Sequence, residues 1–317
     1  PKIFSFNYKG TEYGLGSIPL GGFVKISGII DESMDTSHLN KEPESWEFRS
    51  KPAWQRLVVM LGGIIFNVIT GLVIFTIITF NNGETYLSKD EINKNGILAL
   101  DLGLDAGFKT GDKILLINGE DWERDSELFD PNLFFDDNTT FTVLRNGEKL
   151  EITIPDNFIN KMNSREAMSS FLKARTPFTI DSVYNNAFKA GLEKGDKIVK
   201  VDETFIVDLY ELKTILEKNK SSIIQVTINR NETIIDKVVE ISKDATIGIK
   251  VLAEPLTFSQ RKFDFNESVI IGTQKAFGIV FLNIRAFGKM FSGDIDPSKN
   301  LSGPIGIAQI FGSEWDW

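Results

Sequence analysis

From Leu57 to Phe80 the chain reads LVVMLGGIIFNVITGLVIFTIITF without one charge. A helix over that run rises about 36 Å at about 1.5 Å per residue, enough to cross a bilayer. Its apolar residues cover every face, which predicts a transmembrane helix at 57–80 rather than a helix buried in a soluble core. Gly63, Asn67 and Gly71 recur at four-residue spacing with Thr70 beside them, so one stripe is small and polar and is expected to face protein. A lone amide at mid-depth is costly without a partner, which makes Asn67 a candidate functional residue, although helix packing explains it equally well. Arg49, Lys51 and Arg56 crowd the N-terminal flank, whereas Lys89, the first cation after the run, sits beside Asp90 and Glu91. That asymmetry places the N-terminal side in the cytoplasm and the bulk of the chain outside.

Beyond this run the pattern shortens and repeats. AGFKTGDKILLINGEDW from Ala106 recurs as AGLEKGDKIVKVDETFI from Ala190. Each copy has an Ala-Gly pair, a Gly-Asp turn (Gly111-Asp112, Gly195-Asp196) and an alternating strand. A helical segment follows in each, shortened by Pro131 in the first copy and carrying Leu209, Leu212, Ile215 and Leu216 on one face in the second. Hairpins are expected at Asn146-Gly147 and across Arg230-Asn231. The pattern resembles PDZ domains of the bacterial protease type, which implies two tandem modules at 95–157 and 177–256 with a structured linker at 158–176. By that resemblance an extended peptide adds to a sheet edge. In the second copy its groove would lie between the segment holding Phe178 and Ile180 and the helix holding Leu209 and Leu212. The first copy would use the strand from Gly96 and the helix near Leu128. The Gly-Asp turns themselves read as architecture.

From Glu267 to Phe291 a second long apolar stretch contains Lys275, Arg285 and Lys289. Phe277, Val280, Phe281, Ile284, Phe287 and Phe291 recur at three and four residues, with the charges mostly opposite. This predicts an amphipathic helix on the membrane surface rather than a span. Composition narrows the chemistry further. The 317 residues carry a net charge of −9 and no long basic block, so nucleic acid is not an expected partner. There is no cysteine, and the single histidine, His38, lies in a polar stretch; neither a thiolate centre nor a complete zinc site is expected from this chain alone. Its first residue is Pro1 and it carries no signal peptide at its front, which suggests a fragment.

GLGSIPLGGFVKI, Gly14 to Ile26, is not a phosphate loop: no helix follows the glycines, and Lys25 is succeeded by Ile26. Bare backbone before a short apolar run suits instead a β element lying close to membrane or protein with its edge exposed. GTEYGLGSIPLGGFVKISG, then FRSKPAWQRLVVMLGGIIFNV, two PDZ-like modules and LSGPIGIAQI, in that order, resemble the bacterial site-2 protease family of intramembrane zinc metalloproteases. The resemblance implies a multi-domain membrane protein made of a transmembrane helix, two tandem PDZ-like domains, a membrane-associated β-hairpin within 1–56 and a C-terminal amphipathic helix within 262–317. It implies that Gly21, Gly22, Phe23, Val24 and Lys25 take the substrate as an added strand, and that Asn67 matches a position implicated in substrate handling. Gly63 stands where the family usually has proline, so the proline's kink is not carried over.

The family holds zinc through an HExxH motif and a later Leu-Asp-Gly motif. Neither occurs here, so zinc ligands are expected outside this chain, before Pro1 and after Trp317. The implied activity is regulated intramembrane proteolysis of single-span substrates, such as anti-sigma factors, already shortened by another protease, in the bacterial inner membrane. The PDZ pair, outside, would filter substrates by size or by their C-termini, and membrane lipid is the other implied partner. The alternative is a membrane-tethered PDZ adaptor without catalysis.

Overall fold

The computed structural model describes residues 2–16, 26, 44–135, 138–156, 158–162 and 169–297. They fall into two units, Pro1–Ile74 and Phe75–Trp317. In the first, β1 (Lys2–Tyr8) and β2 (Thr11–Gly16) form an antiparallel hairpin turned at Lys9-Gly10, both with positive φ, as a tight two-residue turn requires. Phe6 contacts Phe4 and stacks on Tyr13 at ring-centroid distances of 5.8 and 5.3 Å, and all three rings are exposed. Helix α1 (Ala53–Asn82) begins in this unit and ends in the second. It runs unbroken through Gly63, as a helix without proline does.

The second unit carries, after α1, β3 (Glu84–Leu87), α2 (Lys89–Asn95), β4 (Ile97–Ala99), α3 (Asp101–Asp105), β5 (Lys113–Ile117), α4 (Asp125–Leu128), α5 (Pro131–Phe135), β6 (Thr140–Arg145), β7 (Glu148–Thr153) and β8 (Leu172–Ala174). The order then repeats as β9 (Phe178–Val183), α6 (Asn185–Lys189), β10 (Lys197–Val201), β11 (Thr204–Phe205), α7 (Leu209–Lys218), β12 (Ile223–Arg230), β13 (Thr233–Glu240) and β14 (Ile249–Ala253). In the first module β5-β6-β7 form an antiparallel sheet and β4 pairs with β8; in the second, β11-β10-β12-β13 form one and β9 pairs with β14. Even the bulges coincide, between Ile114 and Leu116 in one and between Ile198 and Lys200 in the other. The helical segment differs: a ten-residue α7 in the second module, two single-turn helices in the first, where Pro131 opens α5.

Each module closes its own core. Phe108, Phe134, Phe141, Phe158 and Phe171 dominate the first. Isoleucine, valine and leucine fill the second around a single phenylalanine, Phe178. Full burial of each such side chain contributes about 1.5–3 kcal/mol, so each module has the means to hold its own shape.

The tandem is closed at its neck. β15 (Phe258–Arg261), which follows the second module, pairs antiparallel with β3, which precedes the first. α8 (Phe265–Ser292) then starts from a capping box of Asp264 and Glu267 and crosses the end of α1. Phe265 meets Phe80 edge-on at 6.3 Å, and Gly272 is buried where an added Cβ would come within 2.8 Å of the Thr76 amide nitrogen. The far part of α8 rests on the first module. Arg285 donates to Asn132 at 3.1 Å and lies over the Phe135 ring, while Asn160 donates to the Asp294 carbonyl at 2.6 Å just past the helix. The six predicted apolar residues, Phe277, Val280, Phe281, Ile284, Phe287 and Phe291, are all exposed. By length and composition both α1 and α8 suffice to cross a membrane.

Candidate functional site

Of the residues picked from sequence, Gly21, Gly22, Phe23, Val24 and Lys25 lie outside the described residues, as do His38 and the LSGPIGIAQI segment. Asn67 lies exposed on α1, and a Cβ added at Gly63 or Gly71 would meet no atom within 4 Å among the described residues. Among those residues the small stripe is therefore a bare surface of this helix, not a contact made by the chain.

The expected peptide-binding set is brought together, but as core. Phe178, Ile180 and Leu212 are each 1% exposed in one cluster, against which Leu209 packs partly buried. Moreover, β9 is engaged on both sides at Ile180. One side pairs with β14, and on the other Ile180 exchanges both backbone hydrogen bonds with Gly195 and Asp196, at 2.7 and 2.9 Å. At that position neither side is left for a further strand. Among the described strands β14 pairs only with β9, which leaves its outer edge without a strand partner. Because the polar backbone of Ile180 points to β10, its partner across the ladder, Val251, sits in a non-hydrogen-bonded pair. The Val251 N–H and C=O accordingly point to the free edge. Ile249 and Val251 lie partly buried on the same core as Leu209 and Ile215 of α7, giving that edge an apolar floor.

The first module fills the corresponding space. Ile97 bonds to Gly111 and Asp112 as Ile180 does to Gly195 and Asp196, and pairs with Ala174 as Ile180 pairs with Val251. In this register Phe171 occupies the position of Gly248. Both carbonyls accept from the strand's downstream neighbour, Leu100 for Phe171 and Tyr184 for Gly248. The Phe171 ring is fully buried and touches Phe108, Phe129, Phe134 and Phe158 at centroid distances of 5.6, 6.2, 5.5 and 5.7 Å. Phe129 and Phe134 belong to the α4–α5 segment, so the room between strand and helix is occupied by the chain's own ring. Gly248, at φ +87°, has no side chain to do this.

The repeated Gly-Asp turns carry a device that the sequence reading missed. Asp112 and Asp196, at most 1% exposed, each accept two hydrogen bonds from an arginine at the end of the central strand. Arg145 donates through Nε and Nη2 at 2.8 and 2.7 Å, and Arg230 likewise at 2.6 and 2.8 Å. The same Nη2 atoms donate to the Gly107 and Gly191 carbonyls, each at 2.9 Å, so one fork ties turn, strand and Ala-Gly pair together. Burial pushes the Asp196 carboxyl up, but the Arg230 guanidinium and the Glu193 N–H more than offset it and hold it below the usual carboxylate range. The recurrence of Arg-Asn at 145–146 and 230–231, in step with the Gly-Asp repeat, was the available signal.

The profile of peptidase family M50 matches residues 1–317. The chain belongs to peptidase family M50. It is 28% identical, over 99% of its length and 71% of the relative's, to a Borreliella burgdorferi protein provisionally named a zinc metalloprotease. It is also 28% identical to the regulator of sigma E protease of Haemophilus influenzae, over 96% of this chain and 70% of that one. With the regulator of sigma-E protease RseP of Escherichia coli K12 the identity is 26%, over 95% and 69%.

As an M50 peptidase the protein is a metalloprotease whose cofactor is zinc. The residues described do not themselves fit that ion. Among them no three histidine, cysteine, aspartate or glutamate side chains converge on a point, and the buried carboxylates, Asp112 and Asp196, are committed to arginine.

Proposed function

We propose that this M50 chain is the substrate-handling part of a site-2 type intramembrane protease. Its substrates would be single-span membrane proteins already shortened on the far side of the membrane, and its second PDZ-like module would receive an extended C-terminal segment. The observation that carries the reading is the free edge of β14, with the Val251 N–H and C=O turned outward above an apolar floor from Ile249, Leu209 and Ile215. An extended peptide laid there gains ladder hydrogen bonds from its backbone and side-chain contacts from alternate residues. Unpairing a substrate helix into such a strand is also what a protease needs, because a fully hydrogen-bonded helix shields its peptide bonds. Gly21 to Lys25 are proposed to do the same nearer the scissile bond, and Asn67 to engage substrate along α1. A non-catalytic tethered adaptor is not favoured, since the relatives are proteases along most of this chain.

Placement on the membrane follows from α1 and α8. If α1 crosses the bilayer with Arg49, Lys51 and Arg56 inside, both modules lie on the outer side. α8 would be about 42 Å long at about 1.5 Å per residue. Its start is held by the end of α1 and its end by Asn160 of the first module, so it does not carry the chain across. Its exposed phenylalanines then face lipid from the surface.

The test is Val251→Pro in the full-length protein. Proline removes the outward N–H without touching the β9 ladder. Anisotropy with a random-sequence C-terminal peptide library is expected to show binding by the parent and a loss of about tenfold or more in the variant, with zinc content unchanged. Equal binding by both, or none by the parent, overturns the reading.

A further inference from the structure

Tandem modules joined by a short connection normally move relative to one another unless a large interface stops them. Here the connection is Arg175–Thr176–Pro177, and every residue of it is hydrogen-bonded to a module. The Arg175 amide donates to the Gly96 carbonyl at 3.1 Å, and its Nη1 to the Asn95 carbonyl at the end of α2 at 3.1 Å, both in the first module. The other nitrogens of the same guanidinium reach into the second module: Nη2 lies 2.8 and 3.0 Å from the two carboxylate oxygens of Glu211, and Nε lies 3.2 Å from Oε2. The Thr176 amide donates to Asp208 at 2.9 Å, and the Pro177 carbonyl accepts from Glu254 at 2.7 Å.

Asp208 and Glu211 are also the capping box of α7, the helix flanking the free edge of β14. Both side chains of the Arg175–Glu211 pair are mostly buried, 12% and 15% exposed, which shields it from salt and water. One planar fork thus satisfies a helix C-terminus in one module and a helix N-terminus in the other, a task a single ammonium cannot perform.

We infer that Arg175 is a positioning residue that locks the two modules at one mutual angle and fixes the start of α7 relative to the first module. The tandem then behaves as one rigid body. A peptide lying on β14 meets a constant surface, so selection belongs to the pair rather than to either module. That consequence for peptides rests on the proposed function; the locking itself does not.

The test uses the full chain in detergent micelles. The sequence has no cysteine, so spin labels go only where they are put. Labels at Lys149→Cys and Glu232→Cys, exposed sites in the two modules, report the inter-module distance by double electron–electron resonance. The parent is expected to give one narrow distribution, and Arg175→Ala and Glu211→Gln each to widen it about twofold or more. The side-chain amide introduced by Glu211→Gln keeps an oxygen for the cap, and in Arg175→Ala Glu211 still accepts from Val207 and Asp208, so α7 survives both. A control pair at Lys213→Cys and Glu232→Cys, both within the second module, should keep its width, which unfolding would not allow. A broad parent distribution, or an inter-module width unchanged in both variants, overturns the inference.

Discussion

The two modules share strand order, bulge positions and the Asp–Arg fork, yet they differ in what lies between their last strand and their helix. The first holds Phe171 there and breaks its helix at Pro131; the second holds Gly248 and an unbroken, doubly capped α7. The first also carries the end of α8 on Asn132, Phe135 and Asn160, whereas the second has no described strand on the outer edge of β14. One scaffold thus appears twice with different fillings. The first module is packed with aromatic rings and carries the end of α8, and in the second β14 pairs with β9 alone among the described strands.

Phe171→Ala puts this contrast under the most severe strain. Removing a fully buried ring from a five-ring cluster is expected to cost about 3–5 kcal/mol, read by chemical denaturation of the full chain. If Phe171 is what closes the first module, the variant also gains peptide binding that survives Val251→Pro. A cost under about 1 kcal/mol would mean that the ring is not packed as described.

Next in size is Arg230→Ala, expected to destabilise the second module by about 3 kcal/mol because it leaves a buried carboxylate unpaired. Arg145→Ala should cost the first module a similar amount, since its fork has the same geometry. The second-module fork also sets a pH dependence. The folded Asp196 carboxyl titrates below its unfolded value, so its contribution is present above the unfolded value and is lost as pH falls through the folded one. Stability should decline below about pH 4, and Asp196→Asn should flatten that decline. An unaltered acid profile in Asp196→Asn would remove the fork from the account.

Gly248→Ala follows, expected to cost about 2–3 kcal/mol, since backbone strain and a clash with backbone act together. At φ +87° an L-residue is strained, and the added Cβ would press on the Tyr184 carbonyl. Wild-type stability in this variant would show that the second module tolerates a side chain where the first carries Phe171.

Much of this was legible along the chain. The uninterrupted apolar run gave α1, because length and lack of charge are properties of consecutive residues. The three-and-four spacing of six apolar residues gave the exposed face of α8 for the same reason. The duplicated Ala-Gly and Gly-Asp signatures gave two modules in order. Which edge is open is a relation between strands: the residues of β9 and of β14 look equally fit to accept a neighbour, and only the folded chain shows that β9, paired with β14, also bonds Gly195 and Asp196 through Ile180. Phe178, Ile180 and Leu212 were placed beside the groove by resemblance to PDZ domains, and their apolarity takes their side chains into the core.

Local spacing and ordered motifs were thus enough for the long apolar helix, the repeat, the amphipathic face of α8 and the family. They were not enough for which strand is open, for Phe171 standing where Gly248 does, for the commitment of Asp112 and Asp196 to Arg145 and Arg230, or for Arg175 bonding both modules at once. Those facts join residues far apart in the chain, and burial and hydrogen-bond geometry select such partners only once the strands have docked.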